Sequence, residues 1–344
     1  MMRSIRLMES ATALEERETL DPRPGAEDVV VEIRAAGICH SDAHYRAGRG
    51  RVALPRTLGH EIAGVVIELG ESVTSLLVGD RVALHYLVSC GECPECARGG
   101  EQFCVRGEML GKERDGGFAE RIVVPARNAV IIPREIPFDE AAIMMCSTAT
   151  AYHALRLASL RSGESVAIIG FGGLGASALQ LARALGAGSI AAIDVVPEKL
   201  EAAASLGAIP IDGQRDDLAD EITRASGGRG VDVVLDLAGS APPRLAALRS
   251  MAPGGRLLLV ALGPEPFTFD PYADVLTRER RIIGCSDHLL SELPELMDFA
   301  RRGDIDLSSA ITRRVPLEAP AINQVLDDLD RGTKQLRTVV FHMV

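Results

Sequence analysis

Tryptophan is absent from this chain, and aromatic residues make up only 3% of its 344 positions. Lysine is nearly absent too: Lys112, Lys199 and Lys334 are three of 37 basic residues, and the other 34 are arginine. Thermal adaptation and a GC-rich genome both produce such a bias; we prefer the genome. A basic excess is also missing. The 48 acidic residues leave a net charge of −11 and a pI near 5.2, so the phosphates of a nucleic acid would be repelled. Met1 to Ser10 carries Arg3, Arg6 and Glu9 and lacks the apolar core of a signal peptide. No long hydrophobic run exists either. The most apolar stretch, Val166 to Ala182, is broken by glycines and reads as strand, loop and helix, not as a membrane span. Internal repeats and low-complexity segments are lacking. These absences predict a cytoplasmic protein with no membrane and no nucleic-acid partner.

What is present is ordinary for a globular protein: 47% hydrophobic and 25% charged residues, in a chain long enough for two cores. The first third alternates short strands with turn residues. Val29 to Ala35, Ile62 to Leu69 and Glu120 to Pro125 read as strands. From Pro137 the pattern becomes helical. An α/β alternation then follows: strand Ser165 to Ile169, helix Gly175 to Leu185, strand Ser189 to Asp194, helix Pro197 to Leu206, and strands Val231 to Leu237 and Gly255 to Ala261. Strands alternating with helices predict a parallel sheet covered on both faces. After Ser286 the alternation lapses, and a last strand, Arg337 to His342, returns to the first domain.

Four cysteines stand close together, at Cys90, Cys93, Cys96 and Cys104. One small loop with such spacings wraps a tetrahedral zinc ion, and Gly91, Pro94, Gly99 and Gly100 supply its turns. Four thiolates leave no open position, so this site is structural. Two disulfides are the alternative, disfavoured in a reducing cytosol.

The run from Val166 to Gly175 holds G-x-G-x-x-G at Gly170, Gly172 and Gly175, with Gly173 and Leu174 inside it. Alone the pattern is weak. Here it follows an apolar strand and opens an apolar helix, the context of a dinucleotide loop. Asp194 stands 19 residues after Gly175, where a carboxylate accepts hydrogen bonds from ribose hydroxyls and repels a 2′-phosphate. Val195 and Val196 follow, with no arginine to welcome that phosphate, which favours NAD over NADP.

Three more groups contain one possible metal ligand each: Cys39 in G-I-C-H-S-D-A-H, His60 in G-H-E, and Cys146 in M-C-S-T-A-T-A-Y. Two thiolates and an imidazole would leave a fourth position for water or substrate, the pattern of a catalytic zinc. Spacing alone does not show that the three converge.

With these motifs, and D-G-G-F-A-E at Asp115 to Glu120, almost the whole chain resembles the zinc-containing alcohol dehydrogenases of the medium-chain dehydrogenase/reductase superfamily. The resemblance implies a GroES-like β-rich catalytic domain over 1–150 and 288–344, and a Rossmann coenzyme domain over 151–287. It implies two zinc ions per chain, one structural and one catalytic, the latter on Cys39, His60 and Cys146 with Glu61 beside it. Ser41 would take the alcohol proton and His44 pass it on. His40 and Arg337 would neighbour the cofactor pyrophosphate and Thr150 the nicotinamide. Tyr86 would line the substrate pocket, together with the 109–115 loop and the segment from Leu262 to Tyr272. Cys285, His85, His153, His288 and His342 receive no role. The implied activity is reversible, NAD-linked oxidation of a primary or secondary alcohol to an aldehyde or ketone, by a homotetramer or homodimer. A polyol or amino-alcohol dehydrogenase is the near alternative. Polyol members typically use glutamate where this chain has Cys146, which favours simple alcohols. A non-catalytic protein retaining the fold is the remaining alternative.

Overall fold

The computed structural model describes residues 1–261, 263, 265–332 and 335–342. Leu262, named above for the substrate pocket, lies outside the described residues. The chain divides into two units: Met1–Ala149 with Leu289–Arg301 and Leu307–Val344, and Thr150–His288 with Arg302–Asp306. The expected boundaries shift by one residue at Thr150 and at His288, and the segment Arg302–Asp306 leaves the first unit for the second. It does so because the Gln180 side chain bonds both the carbonyl and the N–H of Asp306, at 2.9 and 2.7 Å.

The first unit is β-rich. Its main sheet runs Ala129–Ile131, Arg81–Leu84, Glu61–Leu69, Asp28–Ile38, Arg337–Phe341, Ile311–Pro316, and Arg121–Pro125 also pairs with Asp28–Ile38. The pairings are antiparallel except that of the last two strands, which is parallel. Arg337–Phe341 pairs with Asp28–Ile38 through Thr338 opposite Ile38, so the far C-terminal strand closes the sheet beside Cys39. One core lies against it, built on Ile33, Ile62, Val66, Leu84, Phe118 and Leu326.

The second unit holds six parallel strands in the order Ile209–Asp212, Ser189–Asp194, Ser165–Ile169, Val231–Asp236, Met251–Leu259, Arg281–Gly284. Every residue of Ser165–Ile169 and of Val231–Asp236 is buried, as expected of central strands covered on both faces. The two edge strands escaped sequence reading. Ile209–Asp212 contains Pro210, which demotes a run as a central strand but is tolerated at an edge, where the missing N–H has no partner to fail. Arg281–Gly284 has only four residues and no alternation. Among the described residues no helix is long and apolar enough to cross a membrane.

One departure from the expected pattern bears on function. The helical run after Pro137 is not one regular helix. Phe138–Ile143 and Ala149–Leu157 are joined by a π-helical turn, Met144–Thr148, in which the Ala149 N–H bonds the Met144 carbonyl five residues back. Single π turns inside α-helices mark functional sites often enough to direct attention to Cys146 at its centre.

Candidate metal centres and dinucleotide loop

The cysteine loop is short and local. Leu87–Val88 leads in, Pro94–Ala97 and Glu101–Phe103 make single helical turns, and the four sulfurs meet. Sulfur–sulfur distances are 3.5 Å for Cys93–Cys96 and Cys90–Cys104, 3.9 Å for Cys93–Cys104 and 4.0 Å for Cys90–Cys96. A disulfide would bring sulfurs to about 2.05 Å. Four thiolates at about 2.3 Å from one tetrahedral ion stand about 3.8 Å apart, and the loop has that geometry. The N–H groups of Glu92 and Cys93 pull the Cys90 thiol down to about 6, while burial and its sulfur neighbours push Cys96 up to about 11. Four sulfurs this close ionise together only around a cation. Residues and spacing therefore fit zinc.

This fit carries a first expected result. Cys93→Ser lowers the melting temperature by several degrees or more and removes about one zinc ion, because a structural zinc contributes folding energy outright. The specific activity of the surviving folded enzyme stays within a few-fold of the parent. Elemental analysis, a thermal melt and turnover measured on the folded fraction check it; unchanged melting would refute a structural role.

The second cluster is assembled from distant segments. Cys39 caps the short helix His40–Arg46; His60 precedes the strand Glu61–Leu69; Cys146 sits in the π turn. One ligand atom each from Cys39, His60, Glu61 and Cys146 lies within 4.8 Å of the others. The two sulfurs are 4.0 Å apart, again the separation two thiolates take on one zinc ion. The mutual hydrogen bond of the two thiols lowers Cys39 and raises Cys146.

Asp42 received no role from the sequence, yet it organises this site. Its buried carboxylate meets His60 Nδ1 at 3.2 Å and accepts the N–H groups of Cys39 and Gly59 at 2.9 and 3.2 Å. A carboxylate on Nδ1 fixes the proton there and leaves Nε2 as the ligand nitrogen, the usual support of a metal-bound histidine. Burial alone would lower the His60 pKa, but Asp42 and Cys39 together raise it well above the ordinary histidine value. Gly59 has φ of +89°, and a Cβ there would strike the Phe118 ring at 2.6 Å, so glycine is required to bring the chain into His60. Asp42 stands three residues after Cys39, inside the motif already singled out. What the sequence could not display was its partner, His60, 18 positions further on.

Glu61 and Arg337 form a buried ion pair. Burial pushes the Glu61 carboxyl up to about 7 against the pull of Arg337, and its Oε1 has no hydrogen-bond partner among the described residues. An orphaned carboxylate oxygen beside two thiols and an imidazole fits a cation. Arg337, for which the resemblance implies a place near the pyrophosphate, sets its guanidinium on Glu61. Ser41 Oγ lies 3.9 Å from Cys39 Sγ. His44 is half-buried one turn further on, with its ring edge-on to that of His40 at 4.8 Å; His40 itself is exposed. Tyr86 is buried with its ring 5.2 Å from His60. His85 stacks on Tyr86, and burial lowers it to about 4.

In the second unit the glycine loop has three distinct roles. Gly170 has φ of +92° and makes the turn; among the described residues nothing lies within 4 Å of where a Cβ on Gly172 would point; a Cβ on Gly175 would run into the Gly170 carbonyl oxygen. The helix Gly173–Ala184 starts directly after Gly172. Asp194 ends the neighbouring strand and accepts the N–H groups of Phe171, Val195 and Val196 at 2.7, 2.8 and 3.0 Å. The loop and the carboxylate are thus held together. Thr150 lies half-buried near the start of Ala149–Leu157.

Comparisons with known proteins agree with this architecture. The family model described as alcohol dehydrogenase GroES-like domain matches residues 25–134, and that described as zinc-binding dehydrogenase matches residues 173–302. An alcohol dehydrogenase of Geobacillus stearothermophilus is 38% identical over 95% of this chain and 96% of its own. An L-threonine 3-dehydrogenase of Bacillus velezensis is 32% identical over 92% of this chain and 93% of its own. A crystal structure of a zinc-binding dehydrogenase from Sinorhizobium meliloti 1021, bound to NADP, superposes with a TM-score of 0.91 at 29% identity, covering 99% of each chain. The sulfur clusters, the glycine loop and these likenesses together make the chain an oxidoreductase with GroES-like and Rossmann domains, a member of the zinc-type alcohol dehydrogenase family within the medium-chain dehydrogenase/reductase superfamily.

Proposed function

We propose that the protein oxidises primary or secondary alcohols to aldehydes or ketones, reversibly, with NAD. The observation that carries this reading is the cluster of Cys39, His60 and Cys146 with Glu61, which Arg337 engages, and with Ser41 beside them. When bound there, zinc would supply a Lewis acid that makes the alcohol proton more acidic, and NAD would supply the hydride acceptor. The chain's own residues do the rest. Asp42 holds His60 in its tautomer. Ser41 takes the alcohol proton, and His44 carries it towards solvent. The Gly172–Gly175 helix start receives the pyrophosphate, and Asp194 the adenosine ribose. A cytoplasmic homodimer or homotetramer belongs to the same reading.

The test is a substrate panel: primary and secondary alcohols, diols and L-threonine, with the zinc-loaded protein and NAD, followed by NADH absorbance. A second reading, an amino-alcohol dehydrogenase, is favoured by the likeness to L-threonine 3-dehydrogenase. Reduction of NAD with L-threonine but with no simple alcohol would establish it; no reduction with any member would leave a non-catalytic protein.

Cofactor choice gives a further expected result. A carboxylate at Asp194 would repel a 2′-phosphate, so the parent should prefer NAD to NADP by a large factor in kcat/KM. Asp194→Ala narrows that preference by about tenfold or more, a change on the scale of one charge-assisted contact. The NADP-bound relative makes the measurement necessary: a parent that used the two cofactors equally well would remove Asp194 from this role.

A further inference from the structure

In the second unit the glycine loop follows the strand Ser165–Ile169, and Asp194 ends the strand on one side of it. Val231–Asp236 is the neighbour on the other side, where the strand order reverses direction from the starting strand. Ligands of such sheets lie across the carboxyl ends of the strands at this switch point. With the adenosine end over Asp194, the other end of the dinucleotide lies over the segments after Asp236 and Leu259.

Those segments are tied together by one buried group. Asp236, fully buried, accepts the N–H groups of Ala238 and Gly239 on Oδ1, at 3.3 and 3.0 Å. Its Oδ2 accepts Arg244 Nε at 2.5 Å. Arg244 is itself buried, on the helix Ala241–Ser250, and its guanidinium lies over the Phe267 ring at 5.3 Å. Phe267 packs on Phe269 at 5.3 Å, and Glu265 Oε2 accepts the Ala241 N–H at 3.0 Å. The backbones are in close approach as well. A Cβ on Gly239 would meet Gly263 Cα at 3.0 Å, and one on Gly170 would meet Ala238 Cβ at 3.1 Å. The first glycine of the phosphate loop, the 237–239 segment, Gly263 and the 265–267 segment are therefore one packed assembly, with Asp236 and Arg244 beneath it.

We propose that Asp236, Arg244 and Phe267 form a clamp that positions the nicotinamide half of the dinucleotide site. Arg244 is a positioning residue here, not a catalytic one. Resting on the dinucleotide reading above, the proposal adds Asp236 and Arg244, which no sequence motif marked, and gives Phe267, within the segment named for the substrate pocket, a place in the cofactor site. A buried ion pair is weak evidence for stability alone, since apolar groups of the same shape often do as well. Its placement under the ligand-facing segments gives it another use: holding them in the bound arrangement before the ligand arrives, which lowers the ordering cost of binding.

Two probes separate the halves of the site. NADH spans both; ADP-ribose lacks the nicotinamide ring. Each is titrated by calorimetry into the zinc-loaded, full-length parent and two variants. Arg244→Lys keeps the charge but loses the planar fork and its stacking. Phe267→Leu removes the ring and leaves the ion pair, so it keeps the question open should the lysine variant fail to fold. In both variants NADH should bind about tenfold more weakly while ADP-ribose changes by less than about twofold, because only the nicotinamide half loses its preorganised wall. Unchanged NADH affinity in both variants, or equal weakening of both probes, would overturn the clamp. A parent that bound neither probe would overturn the dinucleotide reading itself, and the clamp with it.

Discussion

Cys146→Ala is expected to fold, to lose about one of two zinc ions, and to turn over alcohol at least about 10³-fold more slowly than the parent. Three considerations set this result. The first is folding: alanine is the best helix former, so the turn Met144–Thr148 keeps a residue suited to it. The truncation removes one sulfur from a half-buried position at the edge of the core, a small loss beside that of a large apolar side chain. The second is metal affinity. Cys39 and His60 remain, with Glu61 held by Arg337 through Oε2, and the site loses one of its two thiolates. The third is chemistry, because a Lewis acid at the alcohol oxygen is worth several kcal/mol of transition-state stabilisation, about 10³-fold or more in rate. Elemental analysis, a thermal melt and initial rates measured on one preparation check all three. Turnover within about tenfold of the parent would show that Cys146 is not a catalytic ligand. The contrast with Cys93→Ser matters: the two variants lose the same amount of metal, but one loses chemistry and the other stability.

Ser41→Ala should nearly abolish turnover with both zinc ions retained, while His44→Gln should cost on the order of tenfold, since a general acid–base group contributes roughly 10²–10⁴-fold and water partly substitutes at an exit. Alcohol oxidation releases a proton. Ser41 Oγ lies 3.9 Å from Cys39 Sγ, and His44 stands one turn further on. Burial lowers the His44 pKa, and the neighbouring charge of His40 lowers it further. The sign follows: a lowered pKa keeps the imidazole neutral, and able to accept a proton, to lower pH than a free histidine. The loss in His44→Gln should therefore grow as pH falls, where hydroxide is too scarce to stand in as base. An added amine buffer should restore part of the rate. The measurement is kcat against pH under conditions where hydride transfer, not NADH release, limits the rate. A His44 variant matching its parent across the profile would remove His44 from the relay.

The parts of the site that were legible in the chain are those whose residues are neighbours in sequence. Cys90 to Cys104 close one small loop, so their spacing is already close to their geometry. Gly170 to Gly175 and Asp194 belong to one strand–loop–helix–strand unit, in which a turn, an open approach and a tight helix contact each demand glycine at a set position. Strands buried on both faces, such as Ser165–Ile169, announce themselves as apolar runs. Elements without such a pattern did not: the four-residue edge strands, and the π turn hidden in a run of good helix formers.

By itself, then, the sequence determined the closed sulfur site, the dinucleotide loop and the alternation that makes a parallel sheet, because each rests on local hydrogen bonding and local turns. Only the tertiary structure decided which residues meet over long separations. Cys39 and Cys146 are 107 positions apart, and Glu61 and Arg337 are 276 apart. Such contacts depend on how the antiparallel sheet orders its strands, with Arg337–Phe341 laid against Asp28–Ile38. The same holds for Asp42 under His60 and for Asp236 under Arg244 and Phe267: a lone buried carboxylate has no sequence signature, since its function lies in the partner that folding brings to it.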